Sequence, residues 1–597
     1  MRFHHVLPFG AEPLPEGGTR FRLWAPDAKK VQVAVDGMPQ CFDLDRQEGG
    51  WFEASVPVSA GAKYRYRIDE ELNVLDPAAR FAPDGLNGFS EVIDPKAYLW
   101  SDREWRGLPW HRAVVYELHV GTFTREGTYA AIIPRLPELS ELGVNTIELM
   151  PVGTFPGSRG WGYDVVLPFA PHPAYGRPND LKRLIDAAHA NGIAMVLDVV
   201  YNHFGPEGDY LHRYASGFFT DKYKTPWGSA INFESEASRN VRRFFVENAL
   251  YWLEEYRFDG LRLDAVHAMR DASRTHFVDE LAAAIEAGPA RDRYVHLMLE
   301  NHDNQASRLR SARNRRLSKA QWNDDFHHIV HVLVTGETDG YYANYAEQPY
   351  TQLARVLAEG FAYQGDPYGK TCEPRGERSH RLPVTSFIDF LQNHDQIGNR
   401  AFGERLVALT DEQPLRAALA LLLLSPHIPM LFMGEEYGAR QPFLYFCDYC
   451  GELARAITDG RRNEFVSFGF DDAHVHERIP DPNATATFER SCLRWEDRNE
   501  SAHRRHMAYV RQLLSVRAEH VVPRIPSIEP GRAESEVSGT VVRVRWPTSD
   551  GALLLDTNLS TAACELVSST AATLLYSNAA AFTAGRLAPW EVRLQRT

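Results

Sequence analysis

Apolar and polar residues alternate along the first 95 or so positions. FRLWAPDA (21–28), VQVAVDG (31–37), WFEASV (51–56) and KYRYRID (63–69) are period-two runs separated by Gly, Pro and Asp turns, which predicts strands with one buried face and a small β-sandwich. After a Pro- and Trp-rich link from Leu99 to Trp110, the pattern changes at residue 113 to short apolar runs that end in polar residues. These are VVYELHV (114–120), TIELMPV (146–152), IAMVLDVVYNH (193–203), FDGLRLDAVH (258–267), YVHLMLEN (294–301), AQWNDDFHH (320–328), FIDFLQNHD (387–395) and IPMLFMGEE (428–436). Amphipathic stretches lie between them, the clearest at 179–192 and 238–256, and eight strands each followed by helical pattern predict a (β/α)8 barrel with its site at the carboxyl ends of the strands. The irregular stretch 204–234 is long enough for a lid or subdomain beside that site. After a helical segment at 501–520, alternation returns in VVRVRWP (541–547), ALLLDTNL (552–559) and WEVRLQR (590–596). The expected fold is therefore multidomain α/β: an N-terminal β-sandwich (1–98), a central TIM barrel (99–525) with the 204–234 insertion, and a C-terminal β-sandwich (526–597).

The 597 residues are too many for one core. A net charge of −14, from 65 basic against 79 acidic residues, argues against nucleic acid or an anionic membrane as a partner, since both are held by excess positive charge. The longest apolar run, Ala418 to Leu424, is far too short to span a bilayer, and MRFHHVLPFGAEPLPEGG lacks a signal-type apolar core. Six cysteines in so long a chain form no disulfide framework, and Cys447 and Cys450 have no second pair at zinc spacing. A cytoplasmic protein with a neutral substrate and no cofactor or metal is expected.

The strand ends collect the chemistry. The third supplies Asp198, Asn202 and His203, the fourth Arg262, Asp264 and His267, the fifth Glu300, and the seventh Asn393, His394 and Asp395. Arg262 and Asp264 face one side of a strand, so the guanidinium favours an ionised Asp264, while Glu300 closes an apolar run where desolvation favours its protonated form. Alone, the Arg262–Asp264 pair could be a buried structural ion pair; with the other strand ends it reads as the carboxyl pair of glycosidic cleavage. Asp264 is then the nucleophile, Glu300 the general acid and base, and Asp395 the group that grips sugar hydroxyls. His203 and His394 serve as donors to hydroxyls, and Asp198 supports Arg262. A metal site is the rival reading, but the set lacks H-E-x-x-H or H-x-H spacing.

DVVYNH (198–203), GLRLDAVH (260–267), Glu300 at the end of MLEN and FLQNHD (390–395), in that order, resemble the motifs of the α-amylase family, the retaining family-13 glycoside hydrolases. FRLWAPDA resembles the carbohydrate-binding-like domain that precedes the barrel in isoamylases and branching enzymes. YNHFGPEGDYL (201–211), LENHDN (299–304), WNDDFHH (322–328) and FLQNHDQIGNRAFGER (390–405) resemble the trehalose-releasing members, as do LFMGEEYG (431–438) and PFLYF (442–446), although His302 stands where an acidic residue is expected. The resemblance implies hydrolysis of the α-1,4 bond beside the terminal trehalose of malto-oligosyltrehalose and related α-glucans. It places the catalytic groups at Asp264, Glu300 and Asp395. It also implies substrate contacts from Tyr163, His203, Arg262, His267, Asp324, Asp325, Phe326, His327, His328, His394, Gln396 and Asn399. Trehalose recognition is assigned chiefly to Asn323–His328, with Phe326 or Trp322 as a ring face; the alternative is that Asp324 and Asp325 cap a helix and Trp322 fills the barrel. A glycogen branching or debranching enzyme is the second reading within the family, and a catalytically dead carbohydrate-binding scaffold the reading outside it.

Overall fold

Eight parallel strands close into a barrel in chain order: β1 (Val115–Leu118), β2 (Thr146–Leu149), β3 (Ala194–Val199), β4 (Gly260–Leu263), β5 (Val295–Leu299), β6 (Leu317–Trp322), β7 (Phe387–Phe390) and β8 (Ile428–Phe432). The computed structural model describes the chain apart from residues 1–2, 226–227, 311–313, 466–476, 567–571 and 582. Nearly every barrel residue is buried on both faces, which is why these segments read as apolar runs without alternation. β8 closes on β1 with Val115 opposite Met430. Val115, Val196, Met298, Ala320, Trp322, Phe390 and Met430 fill the interior, so the barrel is a packed core open to chemistry only at its rim.

The sixth strand departs from expectation. It begins earlier and ends at Trp322, and Asn323 then caps the helix Asp324–Thr335. Asp324 and Asp325 fall in its first turn, where the helix dipole favours carboxylates. Trp322 is inside the barrel, as the helix-capping alternative requires. Among the described residues only a 3-10 turn, Ala306–Leu309, lies between β5 and β6, so the strand–helix alternation breaks there.

Around the barrel, α1 (Pro178–Ala190) buries Leu181, Leu184, Ile185 and Ala188 at helical spacing. Gly192, at φ 72°, turns the chain into β3. α2 (Ser238–Glu254) buries Val241, Phe244, Phe245 and Trp252. The N-terminal segment forms two sheets, one with Thr19–Trp24 and Trp51–Val56, the other with Val31–Val35 and Lys63–Ile68, and the ring of Phe21 meets Tyr64 across them at 4.8 Å. Arg80 ties these sheets to the barrel through Glu12 (2.9 Å) and Glu255 (3.3 Å), and Glu255 also holds Lys182 at 3.4 Å. The stretch 204–234 contains a short helix (Leu211–Tyr214) and a hairpin (Phe219–Thr225, Gly228–Ile231). It is fastened to the N-terminal sheet: Ser216 N–H donates to Asp27 at 2.7 Å, and Phe218 packs on Trp24 at 5.4 Å. At the other end, the three anticipated strands are joined by Glu534–Ser538 and Thr573–Ser577 in a five-stranded antiparallel sheet. Among the described residues no helix is long and apolar enough to cross a membrane.

Candidate active site

Arg262, fully buried at the end of β4, organises the rim. Its Nη1 donates to both oxygens of Asp198 (3.0 and 2.9 Å) and to Asp264 Oδ1 (2.8 Å), and its Nη2 donates to Glu300 Oε2 at 3.2 Å. The Trp322 ring supports the guanidinium from below at 4.2 Å. Asp198 and Arg262 are cross-strand partners in register, so parallel pairing itself sets this contact.

One positive charge cannot keep three buried carboxylates ionised. Burial raises Asp198 to about 7 and Glu300 to about 8, with Arg262 opposing both shifts and Asp264 adding to them. Burial also acts on Asp264, but there Arg262, His203 and the bond from Asn202 Nδ2 (2.7 Å) prevail, and its carboxyl stays below the usual range. The two groups are therefore driven apart, one an acid and one a carboxylate at neutral pH. Glu300 Oε2 also accepts from the Ala265 N–H at 2.8 Å. Ala265 is at φ 42°, left-handed and strained for a residue with a Cβ, a feature typical of functional sites.

The second half of the rim is built on His394. It bonds the Glu117 carboxylate through Nδ1, meets the Tyr163 hydroxyl at 2.9 Å through Nε2, and lies 3.5 Å from Asp395. Burial disfavours its charge, yet Asp395 and Glu117 together raise it to about 9, so it is an imidazolium at neutral pH. The Tyr163 hydroxyl donates to Asp198 at 2.7 Å, which joins the two halves. Asn393 Oδ1 accepts the N–H groups of Asp395 (2.8 Å) and Gln396 (3.3 Å) and so caps the short helix that carries them. Asp395 is 38% exposed; Asn399 donates to it at 3.3 Å. His203 sits between Asn202 and the Tyr163 carbonyl (3.1 Å). His267 accepts from the His302 N–H at 3.3 Å, and the His302 ring faces Tyr368 at 5.8 Å.

The segment after β6 corrects the expected contact set. Phe326 is 0% exposed in the main core. Asp325 is saturated by Tyr345 (2.6 Å), Arg375 (3.2 Å), Asn304 (2.9 Å) and the Ala362 N–H (2.8 Å). His327 is buried between the Leu391 carbonyl and the Tyr342 hydroxyl, and Asn323 is bonded to Asp389 and Gly360. Of these four only Asn323 keeps an unpartnered polar atom, its Oδ1, and that is buried: helical spacing turns Asp325, Phe326 and His327 into the protein, where strand spacing would have offered alternate residues to the site. Asp324 alone is half exposed; burial, with Asp395 and Asp325 and against Arg375, raises it to about 7. His328 is nearly buried, yet its Nδ1 has no partner among the described residues, like Gln396 Oε1 and Arg375 Nη2.

Three residues escaped the sequence reading: Glu117, Glu148 and Tyr341. Glu117 and Glu148 are opposite one another on β1 and β2 and both are buried. Burial, Glu117 and Asp198 push Glu148 well above the usual carboxylate range, which favours its neutral form beneath the charged rim. Buried glutamates in two apolar runs were the available signal. Tyr341, 41% exposed and packed on His328 at 4.9 Å, is an aromatic face at the mouth, and GYYANY was its only trace. Among the described residues no three His, Cys, Asp or Glu side chains cluster as metal ligands, and Asn202 is committed to Asp264 and His203.

A family model for the alpha amylase catalytic domain matches residues 95–228, and one for carbohydrate-binding module 48, the isoamylase N-terminal domain, matches 8–79. The malto-oligosyltrehalose trehalohydrolase of Deinococcus radiodurans is 43% identical over 92% of this chain and 89% of its own length; that of Saccharolobus solfataricus is 37% identical over 86% and 87%. A glucan branching enzyme from Pseudoalteromonas atlantica, 33% identical, matches over only 46% of this chain and 41% of its own. The crystal structure of a candidate alpha amylase from Salmonella typhimurium superposes with a TM-score of 0.94 at 43% identity, covering 99% of this chain and all of that one. The chain belongs to the malto-oligosyltrehalose trehalohydrolases of the α-amylase family.

Proposed function

We propose that this protein hydrolyses the α-1,4 bond next to the terminal trehalose of malto-oligosyltrehalose, by double displacement with retention. The observation that carries this reading is the pair of carboxyls held on one guanidinium, Asp264 at 2.8 Å and Glu300 at 3.2 Å, an arrangement that lowers Asp264 while burial raises Glu300. Ionised Asp264 attacks C1 as Glu300 protonates the departing O4 of trehalose. Glu300, now a carboxylate, takes a proton from water, whose oxygen displaces Asp264 from C1. Asp395 and the His394 imidazolium hold the hydroxyls beside C1, and the Asp395 charge offsets the positive charge growing on the ring. His203 and Tyr163 flank the same sugar. The six cysteines, none in a disulfide, support a cytoplasmic enzyme.

Incubation with malto-oligosyltrehalose should release trehalose, and proton NMR should find the malto-oligosaccharide formed first as its α anomer. A first-formed β anomer would overturn the nucleophile assignment, and transfer to glycogen without trehalose release would favour branching.

Recognition of the leaving trehalose falls chiefly to the half-buried Asp324 and the exposed Tyr341, with His328 Nδ1 and Gln396 Oε1 buried without a partner among the described residues. Asp324→Ala should lower kcat/KM for malto-oligosyltrehalose about 10- to 100-fold more than for plain malto-oligosaccharides, because a site built to bond hydroxyls rejects ligands that leave it unpaired. Phe326→Ala should instead destabilise the fold by about 3–5 kcal/mol with no change in substrate preference. Kinetics on both substrates, with thermal melts, separate these outcomes; equal losses for Asp324→Ala would move recognition elsewhere.

A further inference from the structure

A cavity of about 780 Å³ opens beside loops that follow β1, β2 and β8. Those loops leave the carboxyl ends of their strands, so the cavity lies on the same face as Asp264, Glu300 and Asp395. Its volume falls within the roughly 300–1,000 Å³ common for small-molecule sites. Three arginines (Arg125, Arg159 and Arg494) and three glutamates line it, a balance suited to a neutral ligand rich in hydroxyls and not to an anion. Phe488 is its partly exposed aromatic ring, while Tyr175 is 3% exposed. Tyr175 is locked by bonds to His119 (3.1 Å) and the Gly160 carbonyl (3.4 Å), and Phe488 is braced on Phe446 at 5.2 Å. Flat apolar faces beside multidentate polar groups are what pyranose rings require.

One short segment joins this cavity to the catalytic rim. Arg159 lines the cavity and is tied to Asp448. Trp161 packs on His394 at 5.3 Å, and Tyr163 reaches Asp198. The four residue steps from Arg159 to Tyr163 span at most about 14 Å of backbone.

We propose that this cavity binds the distal glucose units of the malto-oligosaccharyl chain, so that long substrates are held at a second point away from the cleaved bond. The assignment rests on the trehalose-releasing reading for the chain it names. Arg125 and Arg494 are exposed and stand outside the catalytic rim, so the Arg125→Ala/Arg494→Ala double variant isolates the cavity. KM for maltohexaosyltrehalose should rise about 5- to 10-fold with kcat unchanged, as expected for loss of hydrogen bonds made equally in ground and transition states. Maltosyltrehalose, too short to reach, should keep its kinetics. No change with the long substrate, or equal losses with both, would overturn the proposal. Calorimetric binding of maltohexaose to the wild-type and double-variant proteins gives an independent reading. If the wild type released no trehalose, the functional reading would fall while a weakened maltohexaose affinity in the variant would still uphold the cavity; unchanged affinity would sink it.

Discussion

Asp264→Asn should lower kcat by at least about 10⁴-fold while the protein remains folded. The amide has the shape of the carboxylate but no charge with which to form the glycosyl-enzyme. Its Oδ1 can still accept from Arg262, as Asp264 does at 2.8 Å. Its Nδ2 would then face the Asn202 amide, which now donates to Asp264 at 2.7 Å; two donors meeting cost about 1 kcal/mol unless Asn202 turns over. A second effect concerns Glu300, which the negative charge of Asp264 helps to raise. With that charge gone, Glu300 should ionise at lower pH and lose its proton where the wild type keeps it. Steady-state kinetics, mass spectrometry of protein quenched with a slow glycosyl fluoride, and thermal melts check the three parts. A variant within tenfold of wild-type kcat would remove Asp264 from the role of nucleophile.

Glu300→Gln should reduce kcat/KM on malto-oligosyltrehalose by about 10²–10⁴-fold, the range of general acid catalysis. The loss should be much smaller on a glycosyl fluoride, whose leaving group needs little help from a proton. The pH profile adds a sharper criterion. Activity requires Asp264 ionised and Glu300 protonated, so it rises as pH climbs past the depressed Asp264 and falls as pH climbs through about 8, where Glu300 loses its proton. Both limbs belong to the coupled pair. Glutamine cannot ionise, and the variant should lose the alkaline limb while keeping the acidic one. Persistence of that limb, or equal loss on both substrates, would assign the proton to another group.

The barrel was legible because a parallel strand buried on both faces must be an uninterrupted apolar run, and seven of the eight runs hold their strands, the sixth being strand only at its first three residues. The groups at the ends of β3, β4, β5 and β7 were legible for a related reason: a charge that ends such a run is carried to the rim wherever the run stops. The stretch after β6 was not. WNDDFHH is compatible with a strand that runs on, and only the turn at Asn323 into a helix sends Asp325, Phe326 and His327 into the protein. Glu117 and Glu148 were hidden because their importance depends on one register, Glu117 opposite Glu148, which no local pattern encodes. Tyr341 and the cavity near Arg159 join segments far apart in sequence, and that proximity exists only once the barrel has closed.

The single guanidinium shared by Asp198, Asp264 and Glu300 also governs how this site can change over generations. Removing any one carboxylate redistributes Arg262 among the two that remain, so the effect of a second substitution depends on the first. Double-mutant cycles among these positions should depart from additivity by about 0.5–3 kcal/mol, as in other shared polar networks. Each residue is then a poor first step and a different second step, and the four positions are inherited as one unit. Diversity among descendants of this chain will accumulate in the loops around the rim, where substitutions are nearly independent, and will leave the hub itself almost invariant.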